Sequence, residues 1–147
     1  HDGASSKRLE KVKVISRWPD AMNHLQVCWE GAIRDQNCGI CEKCIRTKTH
    51  FAIQGLPIPA SLGDAKRIHH EIRTVRINTI GALSGWTQTR DFAAVNRLAS
   101  WHFSIKVMML KNRIRIIFKR MRRLVRSLFR RLVSPARALV KRLDSIP

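Results

Sequence analysis

The side chains best suited to chemistry are four cysteines, all lying between Cys28 and Cys44. Cys38, Cys41 and Cys44 form a Cys-x2-Cys-x2-Cys run, and Cys28 stands upstream with nine residues between it and Cys38. Thiolates bind zinc through sulfur, and four of them complete a tetrahedral structural site. Two cysteines separated by two residues can reach one ion because the intervening backbone turns back on itself. Three ligands then come from one knuckle, and Cys28 supplies the fourth. The same spacing suits an iron–sulfur cluster, whose thiolates often share such a run, or a set of redox-active thiols. A secreted disulfide framework fits poorly, because local bridges in so crowded a run would be strained. A site filled by four protein sulfurs has no open position, so the zinc reading implies a structural role and not activation of water.

Few other side chains compete. His24 and His50 flank the cysteines and could replace one, but four cysteines already complete the set. His69 and His70 are adjacent, so on a helix they face different ways and read as surface residues. Trp18, Trp29, Trp86 and Trp101 read as core or half-buried anchors rather than stacking platforms. With 10 acidic residues in 147, no paired carboxylates and no Ser/His/Asp arrangement stand out.

The elements that must position the cysteines follow from periodicity. Ser5 or Ser6 is expected to cap a helix through Leu9, Val12 and Ile15, stopped by Pro19-Asp20. Leu25 to Trp29 alternates like a short strand that delivers Cys28. Glu30 to Asn37 reads as a loop, and Gly39 as the residue that lets the knuckle turn tightly. From Glu42 a helix is expected with Ile45, Thr49, Ala52 and Ile53 inward and Gly55 just past its end. Lys43, Arg46 and Lys48 would either offset thiolate charge or form ordinary solvated helix surface. Further helices are expected from Ala65 to about Ile77 and from Thr87 to Ala99, the latter with Phe92, Val95 and Leu98 inward; Gly81 to Gly85 reads as a break.

Charge is unevenly spread. The chain carries 29 Lys+Arg against 10 Asp+Glu, a formal net charge of +19, and 14 of the basic residues fall between Lys106 and Arg142 with no acidic residue among them. Within that tail, Ile114, Ile117, Phe118, Met121, Leu124, Val125, Leu128 and Leu132 recur at helical spacing between arginines and lysines. This is a basic amphipathic helix, expected to stop at Ser134-Pro135. It suits an anionic membrane surface, packing on a partner, or nucleic acid, the last less well because phosphate binding needs no wide apolar stripe.

Three segments carry a family resemblance: Val27-Cys28-Trp29, then Asn37 to Thr47 (NCGICEKCIRT), then Gly55-Leu56-Pro57. Together with the opening HDGASSKRLEKV they resemble the C-terminal zinc knuckle of cyano-deazaguanine synthase and its relatives, over about residues 1 to 60. That family is of the PP-loop type (adenine nucleotide alpha hydrolase-like, with a HUP-like α/β fold), and a Ser-Gly-Gly-x-Asp-Ser loop holds its ATP. No Gly-Gly pair occurs here. The resemblance therefore implies the C-terminal fragment of an ATP-dependent ligase-like enzyme. ATP would belong to the full-length parent, and a missing N-terminal nucleotide-binding domain would be a partner.

The sequence thus predicts a mainly α chain with a short strand and a zinc knuckle. It divides into a knuckle region (1–60), a helical extension (61–104) and a basic amphipathic tail (105–147). The expected metal ligands are Cys28, Cys38, Cys41 and Cys44, binding one zinc; no catalytic residue is expected within the chain. The alternative is a non-enzymatic zinc adaptor that uses its tail on a membrane or nucleic acid. The expected location is cytoplasmic, with peripheral attachment to the inner face of the membrane left open to the tail.

Overall fold

The computed structural model describes residues 6–28 and 36–143, with side chains described to residue 130. The chain divides into two compact units, His1–Asn112 and Arg113–Pro147. Helices dominate, and no strand occurs among the described residues.

The first unit opens with α1 (Arg8–Ile15) and α2 (Pro19–Asn23). The serine cap does not hold α1. Instead the Glu10 carboxylate reaches back to accept the Lys7 amide at 2.9 Å, satisfying one of the free amides of the first turn. Ser5 lies outside the described residues. Pro19 starts α2, where its missing N–H costs nothing.

The strand expected over Leu25–Trp29 does not form. Residues 25–28 are irregular, and Trp29 and most of the Glu30–Asn37 loop lie outside the described residues. The reason is local. The side-chain amide of Asn37 donates to the Leu25 carbonyl (2.7 Å) and accepts from the Val27 amide (2.9 Å). One side chain therefore takes the backbone groups that a second strand would have taken.

The central element is α3 (Glu42–Ala52). It ends as Gly55 predicts. Leu56 N donates to Phe51 O (3.0 Å) and Gly55 N to Ala52 O (3.1 Å), with Gly55 at φ 65°, which is a Schellman motif. Ile45, Thr49 and Ile53 are buried as their spacing implies, and Ala52 is half-buried. Arg46, Lys48 and His50 are buried as well. Arg46 and Lys48 are therefore not solvated helix surface. Arg46 Nη1 lies 3.0 Å from Glu42, which also accepts from Trp86 Nε1 at 2.9 Å. Lys48 Nζ lies 2.8 Å from Glu71 and 3.3 Å from the Asp64 carbonyl. His50 Nε2 pairs with the Thr89 hydroxyl at 2.9 Å. Arg46 Nη1, Lys48 Nζ and His50 Nε2 each have a specific partner, which makes burial of these side chains tolerable, while Arg46 Nε is buried without one.

After a 3-10 turn (Ala60–Leu62) come α4 (Ile68–Thr74), α5 (Ile80–Ser84) and α6 (Thr87–Val95). The segment read as a break at Gly81–Gly85 is largely α5, because the Thr79 hydroxyl caps it by accepting the Ala82 amide at 3.2 Å. Glycine at 85 provides space. A Cβ there would stand 2.1 Å from Arg46 Nη1. In α6 the inward side chains are Thr89 and Ala93, while Val95 is 81% exposed. Trp86 is fully buried and Trp101 half-buried, with its ring 4.5 Å from His69; Trp18, expected as an anchor, is 62% exposed.

Helix α7 (Ala99–Leu143) begins in the first unit. Its Ile105 and Met108 join Ile45, Ile72, Ile77 and Trp86 in the main core. Asn112, also buried, accepts the Ile77 amide (2.8 Å) and donates to the Val75 carbonyl (3.1 Å). Asn37 engages Leu25 and Val27 in the same pattern: the carbonyl of one residue and the amide two residues on.

The helical backbone of α7 continues through Ser134 and Pro135, where a stop was expected. Proline's fixed φ is itself helical, so its penalty is one hydrogen bond and a ring contact rather than an obligatory end. No helix among the described residues is long and apolar enough to cross a membrane.

Candidate metal centre

Three short pieces of chain deliver the four sulfurs. The Asn37 clamp fixes residues 25–27 and so places Cys28, which is 3% exposed. Asn37 also donates to the Ser61 hydroxyl at 3.0 Å, tying the clamp to the turn before Leu62. Gly39 turns the chain between Cys38 and Cys41 at φ 72°, a conformation that disfavours a side chain. Cys41 is the N-cap residue of α3, its carbonyl accepting the Ile45 amide at 3.0 Å. Cys44 then lies in the first turn, fully buried.

The sulfurs converge. Cys28 Sγ lies 3.5 Å from both Cys38 Sγ and Cys41 Sγ, and Cys38 Sγ lies 3.8 Å from Cys44 Sγ. All four fall within 4.8 Å of one another. A disulfide would bring two of them to about 2.05 Å, and none of the four is in one. A tetrahedron of sulfurs at about 2.3 Å from a central zinc has edges of about 3.8 Å. The observed spacings fit that figure, so these four residues are close enough to share one metal ion.

The surroundings are those of a closed site. The Cys41 amide donates to Cys38 Sγ at 3.3 Å, the kind of contact that stabilises a thiolate. Cys41 and Cys44 sit at the positive end of the α3 dipole, which favours negative charge there. Leu25, Val27, Ile58 and Leu62 pack around the sulfurs. Burial pushes the Cys44 thiol well above its ordinary range and raises Cys41 too, with neighbouring thiols adding to the effect. Metal binding must therefore displace protons, which makes affinity fall as pH falls.

The histidines take no part. His24 is exposed, and His50 points to Thr89 on the far side of α3. Among the described residues the four cysteines form the only cluster of metal-binding side chains. An open cleft of 1010 Å³ borders the knuckle at Cys38 and Cys41, with Arg76 and Thr79 on its other wall.

Sequence reasoning missed Asn37, whose role is readable only once its distance from Leu25 and Val27 is known. It also missed the Trp86–Glu42–Arg46 chain. The i, i+4 spacing of Glu42 and Arg46 could have signalled a pair, although not its burial. No family model, curated protein or solved structure matches this chain.

Proposed function

We propose that this chain binds one zinc ion through Cys28, Cys38, Cys41 and Cys44, and that the ion holds the knuckle together structurally. The observation that carries this reading is the convergence of four cysteine sulfurs within 4.8 Å of one another in an apolar setting. The finer part of the proposal rests on sequence resemblance. In it the knuckle belongs to the C-terminal part of an ATP-dependent, cyano-deazaguanine-synthase-like ligase, and the nucleotide loop lies in another part of that enzyme.

Elemental analysis of the purified chain tests the metal. One zinc per chain in a colourless protein is the expected result. Cobalt substitution should give the visible bands of a tetrahedral four-thiolate site. Iron with brown absorbance, or a folded protein without metal, would remove the reading. The enzyme parentage is tested separately, by whether the reading frame upstream of His1 encodes a Ser-Gly-Gly-x-Asp-Ser loop.

A second reading is a zinc adaptor that acts through its basic helix. It is favoured by the exposed apolar side chains of residues 114–129, which lie on an element with no acidic residue.

A further inference from the structure

We infer that residues 113–130 of α7 are a docking surface for an anionic lipid bilayer, with the helix lying in the plane of the interface. This deepens the adaptor reading by committing it to one partner, and it uses none of the metal chemistry.

Ile114, Phe118, Met121, Leu124, Val125 and Leu128 are each between 46% and 64% exposed. At about 100° per residue they share one arc of about 120°. Eight arginines and lysines and no acidic residue lie in the same stretch. Those basic residues occupy most of the remaining circumference, which they share with Ser127 and the buried Ile116, and Arg113 and Arg122 border the apolar arc on either side. Apolar side chains can then enter the acyl boundary while flanking guanidinium groups stay at headgroup level on their aliphatic stems. The stretch is about 27 Å long, enough to engage several headgroups. It cannot cross the bilayer.

Charge selects the occupant. A second copy of the helix could cover the stripe, but its bordering arginines would meet arginines with no carboxylate between them, and like charges at such positions oppose pairing. Nucleic acid satisfies the basic arc alone and leaves exposed phenylalanine and leucine without a role. An anionic bilayer satisfies both arcs at once.

The test is sedimentation of the full chain with vesicles of phosphatidylcholine, with and without phosphatidylglycerol. Zinc content and circular dichroism of the same samples report folding, so loss of the metal reading and loss of this one are separable. Binding is expected to the anionic vesicles only. Replacing Leu124 and Leu128 together by Gln should weaken it about 100-fold, by removing two buried side chains. Arg122→Ala should weaken it about fivefold, the effect of one basic residue near a charged surface. Equal binding to neutral vesicles, or unchanged affinity in the Leu124→Gln/Leu128→Gln variant, would overturn the proposal. So would absence of vesicle binding from a chain that binds a nucleic acid duplex or self-associates through the stripe.

Discussion

His50 shows how a single residue can report on the core. It is held from its ordinary pKa of 6.5 down to about 3, first by burial and then by the nearby Arg46 and Arg8 charges. The unfolded chain therefore binds a proton that the folded chain refuses between those values. Stability is fully present above pH 6.5 and is lost as pH falls towards 3, at up to about 1.4 kcal/mol per pH unit for one proton. Burial and Arg73 lower His69 as well, and metal release adds acid sensitivity, so the His50 share must be isolated. His50→Gln keeps a polar atom near Thr89 without the titration. The expected outcome is a shallower fall in urea midpoint between pH 7 and 5 for the variant than for the parent. An identical slope would mean that His50 charges in place. The sequence marked His50 only as a spare ligand near the knuckle. Its partner is 39 residues away on α6, and that distance is why the pairing was not legible.

At the scale of elements, some helix ends were readable and others were not. Gly55 was legible because an αL residue after a helix favours glycine. The end of α6 uses the same geometry with the wrong residue. Leu98 N donates to Ala93 O (2.9 Å) and Arg97 N to Ala94 O (3.1 Å), with Arg97 at φ 56°. A side chain in that region costs about 1–2 kcal/mol, and glycine's greater unfolded freedom returns part of it. Arg97→Gly should stabilise the protein by about 0.5–1 kcal/mol, seen as a higher denaturation midpoint with an unchanged slope. The Leu25–Trp29 strand shows the opposite outcome. Its alternation was real, but alternation says which side chains point inward and not what the backbone pairs with. The backbone partner turned out to be an asparagine side chain. Burial of Arg46 and Lys48 was equally hidden, since it depends on Trp86 and Glu71 arriving from elsewhere to join Glu42 and Lys48.

For the first unit taken as a whole, the sulfurs and the main core are distinct. Cys28, Cys44 and Leu62 centre one buried cluster, while Ile72, Trp86, Ile105 and Met108 belong to another. Removing metal should therefore unfold the unit unevenly. After chelation, amides of residues 25–28 and 36–41 should exchange with solvent quickly, while those of Ile72, Trp86 and Ile105 stay protected. Hydrogen exchange by mass spectrometry checks this, and uniform loss of protection would show the knuckle to be part of one cooperative core. The gathering of the cysteines was legible because three of them are separated by only two intervening residues each. The helical composition was legible from periodicity, whereas the irregular segments between helices were not.

Asn37 and Asn112 have a consequence for how this chain meets other chains. Each satisfies one carbonyl and the amide two residues on, then offers nothing further along the segment. The result is a ladder of a single rung. A β-strand at the margin of a sheet presents a row of open backbone groups that can template the next strand and seed fibrils. At Leu25–Val27 and Val75–Ile77 that row is closed by an amide that cannot propagate it. Two valine-bearing segments are thereby terminated by side chains from within their own fold.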